Sequence, residues 1–259
     1  YLNAEDERTL IPLEAAIDLA LLDQSSEIAV LRGETVKHPK YLGLRTFGAG
    51  INLTHLYQGK ISFLWYIKRD MGAVNKVFRG LASQYYGPEE SLFPLKEKPW
   101  IATLDTFAIG GGCQYLLVMD HIMAEKGSYM TLPARKEGII PGMANLRLWR
   151  FTGDRIARQA IQNGLTIHSN SEEGKLICDE IVEKGNMDKK LLETIDSYTN
   201  SGVVGSASNR RAFRIGQEPL DTFRKYMSSY CNDQAYCHFS DALIKNLEHY
   251  WNAASRPVK

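Results

Sequence analysis

The sequence predicts an α/β chain with right-handed crossovers. Strand and helix patterns alternate through the first 130 residues, and two glycine-rich turns each lie between an apolar run and a helical one. No apolar stretch reaches the length of a membrane span. Glu5 to Leu22 carries Leu10, Leu13, Ile17 and Leu21 at spacings of three and four, the pattern of an amphipathic helix. Glu27 to Gly33 is a short apolar run ended by glycine, a buried strand. Arg45 to Asn52 (RTFGAGIN) reads as strand, turn and helix start, with Asn52 as the N-cap. Ile61 to Ala82 repeats apolar residues with a helical period, among them Leu64, Trp65, Met71, Val74 and Val77. Pro99 to Asp120 is strand, loop, glycine turn and apolar helix, and HIMAEKGSYMTLP reads as a strand pair. Pro133 and Pro141 bracket a loop. From about Ala144 the chain is mostly helical, with Tyr226 to Trp251 as one terminal helix.

A chain of 259 residues holds one sizeable core, or one domain with a helical appendage. A net charge of +1 provides no global field for nucleic acid or an anionic membrane. The four cysteines (Cys113, Cys178, Cys231, Cys237) form no CxxC pair and no disulfide framework, so a reducing cytoplasm is the simpler reading. The six histidines lack metal-ligand spacing, and no metal site is expected. No signal peptide is visible. The chain opens on Tyr1 without a methionine, as though an N-terminal segment had been removed or not included.

The glycine turns are Ala49–Ile51 and Gly110–Gly112. The first N–H groups of a helix lack internal partners and carry partial positive charge. Two such turns facing each other aim two donors at one oxygen and form an oxyanion hole. Taken singly, each turn reads equally well as a tight connection. The run GGG matches neither the dinucleotide fingerprint nor a P-loop.

A third segment, LPARKEGIIPG at Leu132–Gly142, completes an ordered set: AGIN, then AIGGGC about 60 residues on, then P-x-x-x-x-G-x-x-P-G. This set resembles the crotonase (enoyl-CoA hydratase/isomerase) superfamily, from Tyr1 to about Val182. The resemblance implies a crotonase fold, a spiral of ββα repeats with a C-terminal helical region. Residues 1–182 would form the core, and residues 183–259 the part serving trimerisation and covering the active site. Homotrimers or dimers of trimers follow. So do Ile51 and Gly111 as the oxyanion-hole amides. Hydratases of the superfamily carry glutamates at the positions of Gln114 and Ala134, and here both acids are missing. An amide or a methyl cannot relay a proton, so hydration by the usual groups is not expected. Glu137, in the same loop, is a possible substitute.

A narrower similarity is carried by NAED, AGINL, ISFLWYIKRDMG, EKPWIATLDTFAIGGGCQ and EGIIPGMANLRLWRFTG. These segments look like the branch of the superfamily that dioxygenates 3,5-dihydroxyphenylacetyl-CoA on the 3,5-dihydroxyphenylglycine route to glycopeptide antibiotics. Members of that branch carry a further N-terminal helical domain, which is expected to be absent from this chain. The resemblance implies an oxidoreductase without metal or organic cofactor. It would take an acyl-CoA thioester and O2, with coenzyme A as part of the substrate. The carried-over site is Glu5, Arg69 and Gln114 toward the aryl ring or reacting carbon, with Gly112 and Gly142 beside the substrate. Lys68 leaves open which of two neighbours points inward. Met143 and Trp149 stand where smaller residues are expected. Trp149 is expected to pack against a neighbouring helix rather than close the pocket. Lys37, Lys40 and Arg45 are candidates for the CoA phosphates, indistinguishable here from surface charge. Two other readings keep the scaffold: an acyl-CoA hydrolase or decarboxylase, and a non-catalytic acyl-CoA-binding subunit. The expected setting is cytoplasmic, with no nucleic-acid or membrane partner.

Overall fold

The computed structural model describes residues 2–81 and 96–256. Helix α1 (Glu7–Leu22) begins two residues later than its apolar period suggests, because Asp6 caps it. The Asp6 carboxylate accepts from the Arg8 N–H at 3.0 Å, and the Asp6 N–H donates to the Thr9 hydroxyl at 2.8 Å. Glu5 is thereby left in extended backbone. Its N–H donates to Gly50 O at 2.8 Å, and its carbonyl accepts from the Asn52 N–H at 2.7 Å. The chain start is thus stitched to the first glycine turn. Asn52 caps the short α2 (Leu53–Tyr57) as expected, accepting from the His55 N–H at 3.2 Å.

A four-stranded parallel sheet has the order β1 (Ala29–Arg32), β2 (Trp100–Leu104), β4 (His121–Glu125), β7 (Glu180–Val182). Every residue of β2 is buried, consistent with its unbroken apolar run. In a second sheet, β3 (Phe107–Ile109) runs parallel to β5 (Tyr129–Thr131), and β5 runs antiparallel to β6 (Ile167–His168). The segment HIMAEKGSYMTLP therefore yields two strands that do not pair with each other. β4 joins one sheet, and β5 turns at Gly127 (φ +90°) into the other. The step β2–β3 divides between the sheets in the same way. Each strand couple is followed by a helix, α5 (Gly111–Leu116) after the first and α6 (Ala134–Glu137) after the second.

The stretch from Ile61 is not one uniform helix. It is α3 (Phe63–Arg69), a π turn (Asp70–Val74) and α4 (Asn75–Arg79), stopped by Gly80 at φ +74°. The end expected at Ala82 lies outside the described residues. Leu64 and Met71, counted in the apolar period, are exposed. Lys68 is also exposed, whereas Arg69 and Asp70 are 2% and 1% exposed. A π turn is a rare single-turn widening of a helix, often found at functional sites.

After α7 (Ala144–Asn163), kinked at Gly153, the last third is helical: α8 (Met187–Thr199), α9 (Val204–Gln217), α10 (Leu220–His238) and α11 (Asp241–Trp251). The expected single helix to Trp251 is two, because Ser240 is extended and starts α11. Trp149 is 50% exposed, so it neither closes a pocket nor serves as a core residue, while Met143 is buried. Fully buried Glu218 accepts two hydrogen bonds from Arg147 at 2.9 Å, and one each from Arg150 and Arg79 at 3.1 Å. Burial disfavours that carboxylate. The arginines, Arg147 foremost, still hold its pKa below the ordinary value. Glu218 thus ties the α9–α10 junction to α4 and α7. Among the described residues, no helix is long and apolar enough to cross a membrane.

Candidate active site

The two glycine turns touch. A Cβ on Gly50 (φ +75°) would lie 2.9 Å from Ile109 O and 3.2 Å from Gly111 N, and one on Gly112 would lie 2.8 Å from Gly48 O. Gly48 O already accepts from the Ile109 N–H at 2.8 Å. Only glycine permits this approach. Among the described residues, neither the Ile51 N–H nor the Gly111 N–H has an acceptor, and both residues line one cavity.

Arg69 organises the wall beside them. Its Nε and Nη2 donate to the two oxygens of Glu5 at 2.7 and 2.9 Å. Nη2 also donates to Gly111 O at 2.9 Å, and Nη1 donates to Gln114 Oε1 at 2.9 Å and Asp70 Oδ1 at 3.2 Å. The guanidinium lies over the Tyr115 ring at 4.7 Å. Burial, the largest single influence, works against its charge, but Glu5, Tyr115 and Asp70 together outweigh it and the pKa rises. Asp70 moves the other way from most carboxylates: burial raises its pKa against the pull of Arg69 and Arg147.

Of the residues singled out from sequence, Ile51, Arg69, Gly111, Gln114 and Gly142 line this cavity. Glu5 does not. It reaches the site through Arg69 and faces a neighbouring hollow of about 280 Å³ that Gly112 also lines. Gln114 presents Oε1 to Arg69, which leaves its amide nitrogen for the cavity. Gly142 (φ +46°) packs so closely that a Cβ would come within 2.3 Å of Gln114 Oε1 and 2.8 Å of Asp70 Oδ2. Ala134 puts a buried methyl in the wall. Glu137 adds the one carboxylate there outside the Arg69 cluster. It is 6% exposed, and burial pushes its pKa up to about 7. Lys37 and Lys40 are exposed, and Arg45 bonds Gly33 O at 3.2 Å and pairs with Glu34 at 3.7 Å.

Asp70 and Tyr230 also line the cavity, and sequence reasoning passed over both. Asp70 had the signal of standing beside Arg69; Tyr230, brought in from α10, had none. Helix α10 closes that side. The Tyr226 hydroxyl donates to Gly142 O, and Gln234 Oε1 accepts from the Ile140 N–H at 2.9 Å. The cavity holds only about 30 Å³, less than the volume of an aryl ring. Among the described residues, no three His, Cys, Asp or Glu side chains gather to hold a metal ion.

The Enoyl-CoA hydratase/isomerase family profile matches residues 81–220. The chain is 41% identical over 235 residues to (3,5-dihydroxyphenyl)acetyl-CoA 1,2-dioxygenase of Amycolatopsis orientalis, covering 90% of this chain and 52% of that protein. It is 27% identical over 219 residues to crotonyl-CoA hydratase of Syntrophomonas wolfei subsp. wolfei, covering 84% of this chain and 75% of that protein. It thus spans about half the length of the first relative. An enoyl-CoA hydratase from Mycobacterium avium subsp. paratuberculosis K-10 superposes with a TM-score of 0.73 at 14% identity, over 100% of this chain and 90% of that one. One from Bacillus halodurans gives 0.73 at 18% identity, over 94% and 90%. At these identities the likeness is one of fold, and the fold is the crotonase fold.

Proposed function

This chain belongs to the enoyl-CoA hydratase/isomerase (crotonase) family, and from that premise we propose that it is a cofactor-independent dioxygenase of an arylacetyl-CoA, 3,5-dihydroxyphenylacetyl-CoA or a close analogue. The observation that carries the reading is an oxyanion-hole geometry without the usual acids. Two unpaired amides, of Ile51 and Gly111, share a cavity with Gln114 and Ala134, the positions where hydratases keep glutamates.

The chemistry needs no metal and no organic cofactor. The carbon between ring and thioester loses a proton, and the thioester oxygen takes the charge as an enolate. The Ile51 and Gly111 N–H groups stabilise that oxygen, each by on the order of 3 kcal/mol. The electron-rich carbanion passes an electron to O2, and the two radicals join as a peroxide at the same carbon. Its attack on the thioester carbonyl expels CoA as the thiolate and closes a cyclic peroxide. Loss of the second proton from that carbon, with its electron pair breaking the O–O bond, leaves an arylglyoxylate. Arg69 and Gln114 would hold the aryl hydroxyls or the reacting carbon. Glu5 keeps the guanidinium in place from behind.

An oxygen electrode decides the matter. Chelator-treated protein given 3,5-dihydroxyphenylacetyl-CoA should consume O2 in step with CoA release. Silence at the electrode sinks the proposal. CoA release that persists under nitrogen favours a hydrolase or decarboxylase, and tight binding without turnover favours a binding subunit. We also propose a division into a core (1–182) and a helical region (183–259) that serves assembly as a trimer or pair of trimers, which light scattering would read.

A further inference from the structure

We propose that Glu137 is the catalytic base that removes the proton from the carbon next to the thioester carbonyl. The assignment rests on the enolate chemistry proposed above. Its physical basis is separate. Glu137 ends α6, and the next residue, Gly138 (φ +81°), turns the chain so closely against α11 that a Cβ there would lie 3.2 Å from Leu243 Cα. That contact turns Arg135 and Lys136 to solvent and Glu137 into the cavity that holds Ile51 and Gly111.

Among the described residues, the Glu137 carboxylate has no hydrogen bond and no ion pair, although it is 6% exposed. Buried carboxylates elsewhere in this chain are paired: Glu5 with Arg69, Glu97 with Arg214, and Glu218 with Arg147. An unpaired buried carboxylate costs stability, and such groups concentrate where chemistry uses them. The other titratable groups lining the cavity are Tyr66, Arg69, Asp70 and Tyr230. Arg69 and Asp70 are committed to each other, and burial raises the pKa of both tyrosines. Burial also sets Glu137 near pH 7, where a base is half in its active form yet strong enough to take a proton.

In the step, the C–H bond breaks and an O–H bond forms on Glu137. The electron pair moves into the C–C–O system, and its charge settles on the oxygen facing the Ile51 and Gly111 amides. No oxidant takes part, so the step is measurable without oxygen. Under nitrogen in D2O, the wild-type protein should exchange the methylene protons of 3,5-dihydroxyphenylacetyl-CoA for deuterium, followed by mass spectrometry. The rate should climb as pH rises through about 7 and Glu137 loses its proton. Glu137→Gln should slow exchange by ~10²-fold or more, the usual contribution of a positioned base, while still binding the ester. Glu137→Asp should recover part of the rate with an altered pH profile.

Exchange by Glu137→Gln at close to the wild-type rate overturns the assignment. So does a wild-type rate that is flat in pH around 7, a result that holds even if the glutamine variant does not fold. Exchange that depends on Glu137 without any O2 uptake in air keeps the base and refutes the dioxygenase. Absence of exchange in the wild type overturns the base, while O2 uptake in air still decides the dioxygenase.

Discussion

Replacing Arg69 with methionine removes the cation and keeps most of the side-chain volume. Glu5 then loses both of its charge-assisted bonds (2.7 and 2.9 Å), and Asp70 and Gln114 lose one each. Breaking a buried pair by deleting one partner costs about 3–5 kcal/mol, chiefly from the charge left behind. For a chain of this size each kcal/mol lowers Tm by about 2–4 °C, so the expected drop is about 6–20 °C at pH 8. The penalty has a sign in pH. Burial already raises the Asp70 pKa, and loss of Arg69 raises it further above its unfolded value of about 3.9. A carboxyl with a raised folded pKa destabilises progressively as pH rises from the unfolded value to the folded one. The deficit should therefore shrink at pH 4.5. Thermal melts of wild type, Arg69→Met and the exposed control Lys68→Met at both pH values test this. The control should stay within about 0.5 kcal/mol of wild type. A loss under 1 kcal/mol for Arg69→Met, or one equal at both pH values, refutes the buried-hub account.

Other perturbations separate site from scaffold. Gly111→Ala places a Cβ 2.4 Å from Glu5 Oε1 and 2.9 Å from Arg69 Nη2, both ends of side chains that can move. Turnover should fall by about 10²-fold through misplacement, with Tm changed by only a few degrees, as steady-state kinetics and a melt would show. Gln114→Glu sets a third carboxylate around Arg69 but leaves Ala134 a methyl. O2 uptake should drop by at least ~10-fold, and no crotonyl-CoA hydration should appear in an absorbance assay, since one acid cannot do the work of two. Glu218→Gln should cost about 3 kcal/mol or more in a urea titration at pH 7. Because the arginines depress the Glu218 pKa, that contribution is present above the unfolded carboxyl value and fades as pH falls. The variant should accordingly lose less stability than wild type between pH 5 and pH 3.

Much of this was legible in the chain. The alternating elements and the Asn52 cap follow from local chemistry, β-branched runs and a short polar side chain before a helix. The meeting of the two glycine turns was legible only through the ordered set of motifs that carries the resemblance. The failures are non-local. The period from Ile61 could not reveal a π turn, and the partners of Arg69 beside it, Glu5 and Gln114, lie 64 and 45 residues away. The parting of β4 from β5 depends on which neighbour each strand finds across the fold. Trp149 looked like a core residue by type, yet its surroundings leave it half in solvent. Glu137 was visible as a nearby acid, but its burial depends on α11, more than a hundred residues later. The inward choice of Arg69 over Lys68 was likewise undecidable until the turn was seen.

The π turn at Asp70–Val74 makes this site a matter of chain length as much as of residue type. One residue fewer there would let α3 run straight into α4. The face that carries Arg69 and Asp70 would then be rotated relative to α4. A lineage could lose the guanidinium–carboxylate cluster through a single in-frame codon deletion, with every side chain named above still encoded. Comparison of gene sequences by substitution alone would miss such a loss, whereas counting residues between the AGIN and GGG turns would find it.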